Sequence, residues 1–133
     1  VYFRKWLPNY VWNNSYVGVN VVLMRYADVM LMYAEALNET GATAEAIPLI
    51  NKIRAVHGFM PPITVTSQAD VKKQIIHERT MELTLESERF FDLRRWGMLD
   101  EAMQAAGRTN FSAANNSYFP VPLTEIQSNT AID

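Results

Sequence analysis

Apolar residues recur at helical spacing along most of this chain, most densely from Asn20 to Asn38, NVVLMRYADVMLMYAEALN. Ala, Leu and Met dominate this stretch and Gly and Pro are absent, so intrinsic propensity favours helix throughout. On a helical wheel only Arg25, Asp28, Glu35 and Glu39 form a polar strip. A helix this apolar has to be covered on more than one side, and Gly41 is placed to close it as a C-cap. A second helix is predicted from Ala44 to about Val56, with Thr43 as its N-cap. Ala46, Ile47, Ile50 and Ile53 make its inner face, and His57 and Gly58 end it. Pro48, one turn in, removes a backbone donor and predicts a slight bend there or a later start.

Together the two segments predict an antiparallel pair of roughly 33 residues, the length of a tetratricopeptide unit. Ala27 and Ala34 supply the small side chains that a close helix approach needs. One such pair cannot bury its own faces, and at least about three stacked repeats are normally required. No second copy is present in the sequence, so downstream helices, upstream repeats or both must supply the cover.

Beyond the pair, Pro61-Pro62 and the β-branched run ITVT predict a loop with a short extended piece. Ser67 and Asp70 have the spacing of a capping box. A helix is predicted from about Gln68 to Leu85, with a continuation from Glu88 to Trp96. Gly97 breaks it before a last helix from Met98 to Ala106. The polar run RTNFSAANNS, Arg108 to Ser117, predicts an exposed loop. Pro120 and Pro122 then enforce an extended path, and Leu123 to Ser128 can form a helical turn capped by Thr124.

The segment Glu78 to Gly97, ERTMELTLESERFFDLRRWG, interleaves five acidic and four basic side chains with large apolar ones. Arg79, Glu82 and Glu86 fall in one narrow sector of the wheel, flanked on both sides by Ile75, Ile76, Leu83 and Leu85. Apolar neighbours predict that the charges are partly buried, and buried charges need partners. The reading adopted is a structural ion-pair lattice comprising Arg25, Glu35, Glu78, Arg79, Glu82, Glu86, Arg89, Asp92 and Arg95. The competing reading, paired carboxylates for acid–base catalysis, requires carboxyl groups in a cleft with separated pKa values. Arginines this close favour the ionised form, so Glu78, Glu82 and Glu86 make poor general acids.

Residues 1–20 are rich in rings: Tyr2, Phe3, Trp6, Tyr10, Trp12 and Tyr16, punctuated by Pro8, Asn9, Asn13, Asn14 and Gly18. The pattern predicts an irregular, partly extended stretch with turns. The plain reading is that the rings cover the apolar flank of the following helix. The functional reading is a sugar site, where a flat ring covers a C–H face and amides bind hydroxyls. For that reading Trp12, Asn13 and Tyr16 are the first candidates, since they lie in the most loop-like part.

Charge and composition narrow the function classes. Twelve Lys and Arg against fourteen Asp and Glu give a net charge of −2. With no basic run and no Gly-rich phosphate loop, nucleic acid is not an expected partner. Cysteine is absent, which excludes disulfides and thiol chemistry. His57 and His77 lack a second histidine at metal-ligand spacing and have no Ser or Cys motif beside them, so neither metal nor cofactor is expected. No apolar run approaches the ~20 residues of a membrane span. The first residue is not Met and the opening is not a signal peptide, so the chain reads as a piece of a longer protein.

Three blocks of the sequence resemble one family. ERTMEL followed by ESERFFDLRRWG is similar to the C-terminal signature ER-x-x-E-L-x-x-E-G-x-R-F-x-D-L-x-R-W of SusD/RagB-type outer-membrane nutrient-binding proteins. It departs at Ser87, where the family usually has Gly. RYADVMLMYAEALN and INKIRAVHG resemble the family's R-Y-A-(D/E)-V-x-L-x-x-A-E-A-x-N and I-N-x-(I/V)-R, through Arg25, Asp28, Glu35, Asn38, Asn51 and Arg54. YFPVPLTEIQSN resembles its closing (Y/L)-x-P-I-P-x-x-E-(I/L)-x-x-N-P, with Thr130 in place of the final Pro.

The resemblance implies a mainly α fold of the α–α superhelix type. Residues 1–20 would be an aromatic irregular segment, 21–57 a tetratricopeptide-like helix pair, 67–106 ion-paired helices, and 107–133 a loop with a closing Pro-x-Pro segment. It further implies a parent lipoprotein, lipid-anchored through a part preceding this chain and exposed on the outer membrane of a Bacteroides-type bacterium. That parent would capture oligosaccharides, or occasionally peptides, by reversible and non-catalytic binding. It would pass them to a SusC-type TonB-dependent transporter. The matched motif residues would be scaffold, and ligand contacts would come largely from loops outside this chain. The competing classes are a tetratricopeptide-like module that binds a peptide or protein in its groove, and a hydrolase that would depend on Glu82 or Glu86.

Overall fold

Tyr26–Glu39 forms α1 and Thr43–Ile53 forms α2 in the computed structural model, which describes residues 22–129 and 131. Trp12, Asn13 and Tyr16 lie outside the described residues. Buried positions in α1 are Ala27, Asp28, Met30, Leu31, Ala34 and Asn38, a stripe at spacings of three and four. Ala27, Met30 and Leu31 at its start pack with Ile53 at the end of α2. Ala34 near its end packs with Ala46 and Ile50 nearer the start of α2. The reversed order makes the pair antiparallel, and alanines at the contact let the backbones approach. Asp28, expected on the polar strip, is instead 6% exposed. It sits beside Ala27 and Leu31 on the packed face and is engaged within the chain.

Between the two helices Gly41 has φ +87°. Its N–H donates to the Asn38 carbonyl and that of Ala42 to the Leu37 carbonyl, so the last carbonyls of α1 are met by a Schellman turn. Thr43 is not the N-cap: α2 starts at Thr43 itself and follows Ala42. Its hydroxyl donates instead to Asn38 Oδ1 at 3.0 Å. The helix runs through Pro48, and because Ala44 and Pro48 are both exposed, water can serve the carbonyl that loses its partner. The α-helix ends at Ile53, earlier than Val56, and Arg54–Gly58 continues as a π-helical turn that stops at Phe59, φ +49°.

The next loop follows the expected alternation. Ile63 and Val65 are half-buried against the pair, while Thr64 and Thr66 are exposed. Asn51 Oδ1 accepts the Ile63 N–H at 2.9 Å and pins this extended piece to α2. Helix α3, Gln68–Glu82, opens with the Ser67 hydroxyl accepting the Asp70 N–H at 3.2 Å. The Asp70 carboxylate accepts from that hydroxyl at 2.7 Å rather than from the Ser67 backbone, a reach for which Asp is too short. The Ser67 hydroxyl, then Lys73, hold the Asp70 carboxyl below its usual range. A lowered folded pKa means that this contact stabilises the fold at neutral pH and is lost as pH falls through the carboxylate range. Val71 and Ile75 of α3 complete the core around Ala34, Ala46 and Ile50.

The chain divides into two compact units, one through Glu78 and one from Arg79 onward. In the second, α3 stops at Glu82, and a turn at 83–88 leads to α4, Arg89–Arg95. The expected extension to Leu85 fails because Leu85 and Ser87 both have φ +67°. The turn carries Leu85 out to solvent and leaves Leu83 buried. Gly97 repeats the Schellman pattern at the end of α4, with Met98 N–H on the Leu93 carbonyl at 2.8 Å. Helix α5, Leu99–Ala105, ends the same way at Gly107.

The run 108–117 is not wholly loop, since Ala113–Asn116 forms a short α6, its first N–H held by Asp100 Oδ1 at 2.6 Å. Helix α7, Leu123–Ser128, starts from Pro122 and not from a Thr124 cap. Proline presets the backbone there, and its carbonyl accepts from Glu125 and Ile126. The segment before it is fastened to α4: Phe119 lies 5.8 Å from Phe90, and Arg94 sits over the rings of Phe91 and Tyr118. Among the described residues there is no strand, and no helix is long and apolar enough to cross a membrane.

The turn at Ser87 and the turn at Gly97 predict opposite substitution effects. A left-handed backbone costs a non-glycine residue roughly 1 kcal/mol, so Ser87→Gly should stabilise the chain by about 0.5–1 kcal/mol in urea melts. A Cβ on Gly97 would meet no atom within 4 Å, so Gly97→Ala should cost about 1 kcal/mol from conformation alone. Equal midpoints for all three chains would contradict the role given to these turns.

Candidate functional site

The charged segment 78–96 builds two polar clusters, one in each unit. In the first unit Glu78 is 8% exposed, so its charge needs partners close by. Arg54 Nη1 pairs with its Oε1, and Gln74 Nε2 donates to the same oxygen at 2.7 Å. Arg54 Nε also donates to the Pro61 carbonyl at 2.8 Å. The π-helical turn starts at this arginine, so one side chain ties α2, α3 and the Pro61-Pro62 loop. Arg54 was not among the expected lattice residues. Its signal was present, an arginine at the edge of an otherwise apolar inner face.

In the second unit the centre is Asp92, on the first turn of α4, where the helix dipole favours an acid. Arg79 Nε donates to Asp92 Oδ2 at 2.8 Å, with the two side chains 3% and 6% exposed. On the other oxygen, Oδ1, Arg95 donates from Nε at 3.0 Å and Nη2 lies at 2.8 Å. One carboxylate thus holds two guanidinium groups, from α3 and from α4. Arg89, expected in the lattice, donates to the Thr80 hydroxyl at 2.8 Å from an exposed position. Arg25, Glu35, Glu82 and Glu86 are each half-buried and engaged within the chain.

This arrangement suits cross-linking better than turnover. Both Asp92 oxygens are covered by cation donors. The cavity beside it, lined by Thr80, Leu83, Ser87 and Arg89, measures about 170 Å³, below the roughly 300–1,000 Å³ of small-molecule sites. Among the described residues no group of three or more His, Cys, Asp and Glu side chains is placed to hold a metal.

A second network joins helix ends in the first unit. Asn38, 1% exposed, donates from Nδ2 to the Gln68 carbonyl at 3.0 Å and accepts the Thr43 hydroxyl on Oδ1. Gln68 Nε2 donates back to the Asn38 carbonyl at 2.6 Å. Asn38 and Asn51 therefore act as backbone clamps, a role that their polarity alone did not announce.

A concavity of about 450 Å³ lies in the second unit at the end of α5. An apolar one of about 200 Å³ lies in the first, lined by Tyr26, Met30, Ile53 and Val56. The outer face of the helix pair leaves Val29, Met32 and Tyr33 exposed, continuing from Val22, Leu23 and Met24.

A profile of the SusD family matches residues 1–133. The chain is similar to SusD-like protein P2 of Formosa agariphila, 33% identical over 129 residues, which cover 89% of this chain and 26% of that protein. SusD-like proteins P38 and P25 of the same organism are 30% and 33% identical over 122 residues, covering 86% and 85% of this chain and 24% and 23% of theirs. The chain therefore spans about a quarter of the length of these curated relatives. No solved structure matches it significantly.

Removing one partner of a buried pair leaves a charge uncompensated, at a cost of about 3–5 kcal/mol. Asp92→Asn should therefore destabilise the chain by about 3 kcal/mol. Lys72→Ala breaks an exposed pair with Glu39 and should cost under about 1 kcal/mol. Urea denaturation of the two variants checks this contrast, and equal small losses would show that Asp92 is not a structural centre.

Proposed function

The chain belongs to the SusD family, and from that membership we propose that its parent protein is a cell-surface receptor that captures oligosaccharides and hands them to a SusC-type TonB-dependent transporter in the outer membrane. Members of this family are nutrient-binding surface proteins without catalytic activity. The observation that carries the reading is that the family match runs the full length of the chain while its charged motif residues serve as cross-links. Glu78 is taken up by Arg54 and the Gln74 amide and Asp92 by Arg79 and Arg95, and the cavity beside Asp92 is below ligand size. Binding is reversible: rings stack on sugar faces, and amides and hydroxyls meet sugar hydroxyls.

Trp12, Asn13 and Tyr16 remain the first candidates for ligand contact. The parent is anchored by a lipid on a portion preceding this chain. The exposed apolar face at Val29, Met32 and Tyr33 is the surface on which further tetratricopeptide-like repeats of the parent stack. That same face favours a second reading, a module that binds a peptide or partner protein in its groove.

Two measurements separate the readings. The gene upstream of Val1 should encode a signal peptide ending at a lipidated cysteine, beside a gene for a large β-barrel transporter. On a glycan array the chain should retain an oligosaccharide, and Trp12→Ala or Tyr16→Ala should weaken binding about ten-fold with the melting temperature unchanged. Peptide binding with no glycan binding would favour the interaction module. Glycan turnover abolished by Glu82→Gln in a folded chain would overturn both.

A further inference from the structure

The concavity at the end of α5 is lined by Met103, Gly107, Arg108, Thr109, Asn110, Phe111 and Asn116. Its frame is set by the chain's own hydrogen bonds. Gly107, φ +75°, turns the backbone so that Arg108 N–H meets the Met103 carbonyl at 2.8 Å. Phe111 N–H returns to the Arg108 carbonyl at 3.0 Å, closing a tight turn over 108–111. Asn116 Oδ1 accepts Ser112 N–H at 3.0 Å, and Asp100 Oδ1 holds Ala113 N–H. A polar run that reads as plain loop is thus shaped at both ends.

Side chains on this frame leave an unusual balance. The Arg108 guanidinium, the Thr109 hydroxyl and the Asn110 amide line the cavity, and among the described residues none of them takes part in a side-chain hydrogen bond or ion pair. Asn116 has committed its oxygen to the Ser112 N–H, and its Nδ2 donors take part in no hydrogen bond among the described residues. Phe111, half-buried, supplies the one ring. The volume, about 450 Å³, is within the roughly 300–1,000 Å³ of small-ligand sites.

An apolar ligand would strip water from Arg108, Thr109 and Asn110 and leave them unpaired, which is unfavourable. A small inorganic anion would satisfy Arg108 but make no use of the ring or the amides. A sugar presents both halves at once: adjacent hydroxyls for fixed donors and acceptors, and a C–H face for a ring. We infer that this concavity binds a saccharide unit, with Arg108, Asn110 and Asn116 on its hydroxyls and Phe111 against its C–H face. The inference rests on the receptor reading above and adds a second contact region to it, in the other unit of the chain.

The test uses the intact chain and an oligosaccharide that it retains on a glycan array of neutral and acidic sugars, with affinities read by titration calorimetry. Asn110→Ala should weaken binding about five-fold with an unchanged melting temperature, the size of one lost hydrogen bond. Phe111→Ala should weaken it about ten-fold. Asn110 is exposed and its side chain makes no hydrogen bond among the described residues, so its variant reports on binding even if Phe111→Ala loosens the loop. Wild-type affinity in both variants would overturn the subsite, and if Trp12→Ala then still weakened binding the receptor reading would stand. Retention of no sugar by the wild-type chain would overturn the subsite and the ligand role given to Trp12, Asn13 and Tyr16, and leave the receptor reading to the gene-neighbourhood test.

Discussion

Asp92 holds two arginines from two different helices, and the shape of the second unit depends on that contact. Arg79 comes from α3 and Arg95 from the end of α4, and a left-handed turn with two non-glycine residues separates the helices. Such a turn is not favourable in isolation. It persists because the surrounding contacts over-determine it, and the buried Arg79–Asp92 pair spans it. The interaction need not be more stabilising than a well-packed apolar pair. Its consequence is specificity: once the charges are buried, alternative courses between α3 and α4 leave one of them uncompensated.

The first unit is governed by the same logic with weaker charges. Arg54, Asn38 and Asn51 each fasten a loop or a helix end to the antiparallel pair through one side-chain contact with a backbone group. Both units thus spend their most recognisable polar residues on holding helices together. That is why these motif residues say little about a ligand.

Much of this was legible in the sequence. The helix pair follows from the Ala, Leu and Met run, the small residues Ala27 and Ala34, and Gly41 at the bend. The bordering of Arg79 by Leu83 and Ile75 pointed to buried, paired charge, and the arrangement Arg79–Asp92–Arg95 is of that kind. What stayed hidden depended on contacts between distant positions. Asp28 looks like part of a polar strip until neighbouring Ala27 and Leu31 are seen to pack, and the cation that Glu78 pairs with is Arg54, 24 positions away. Ser87 gave no hint of a left-handed turn beyond the glycine usual at that place in the family. The concavity at 107–116 was also illegible, because a polar run carries no mark of the hydrogen bonds that Asp100 and Asn116 accept to shape it.

The central claim is that the charged motif is a structural cross-link and not reactive machinery. A double-mutant cycle between Arg79 and Asp92, with Arg79→Met, Asp92→Leu and the pair together measured by urea denaturation, tests it most directly. Each single change should be strongly destabilising, and the double variant should recover much of the loss, with a coupling of about 2–3 kcal/mol. Strictly additive losses would mean that the two side chains do not depend on each other, and the account of this fold would be wrong at its centre.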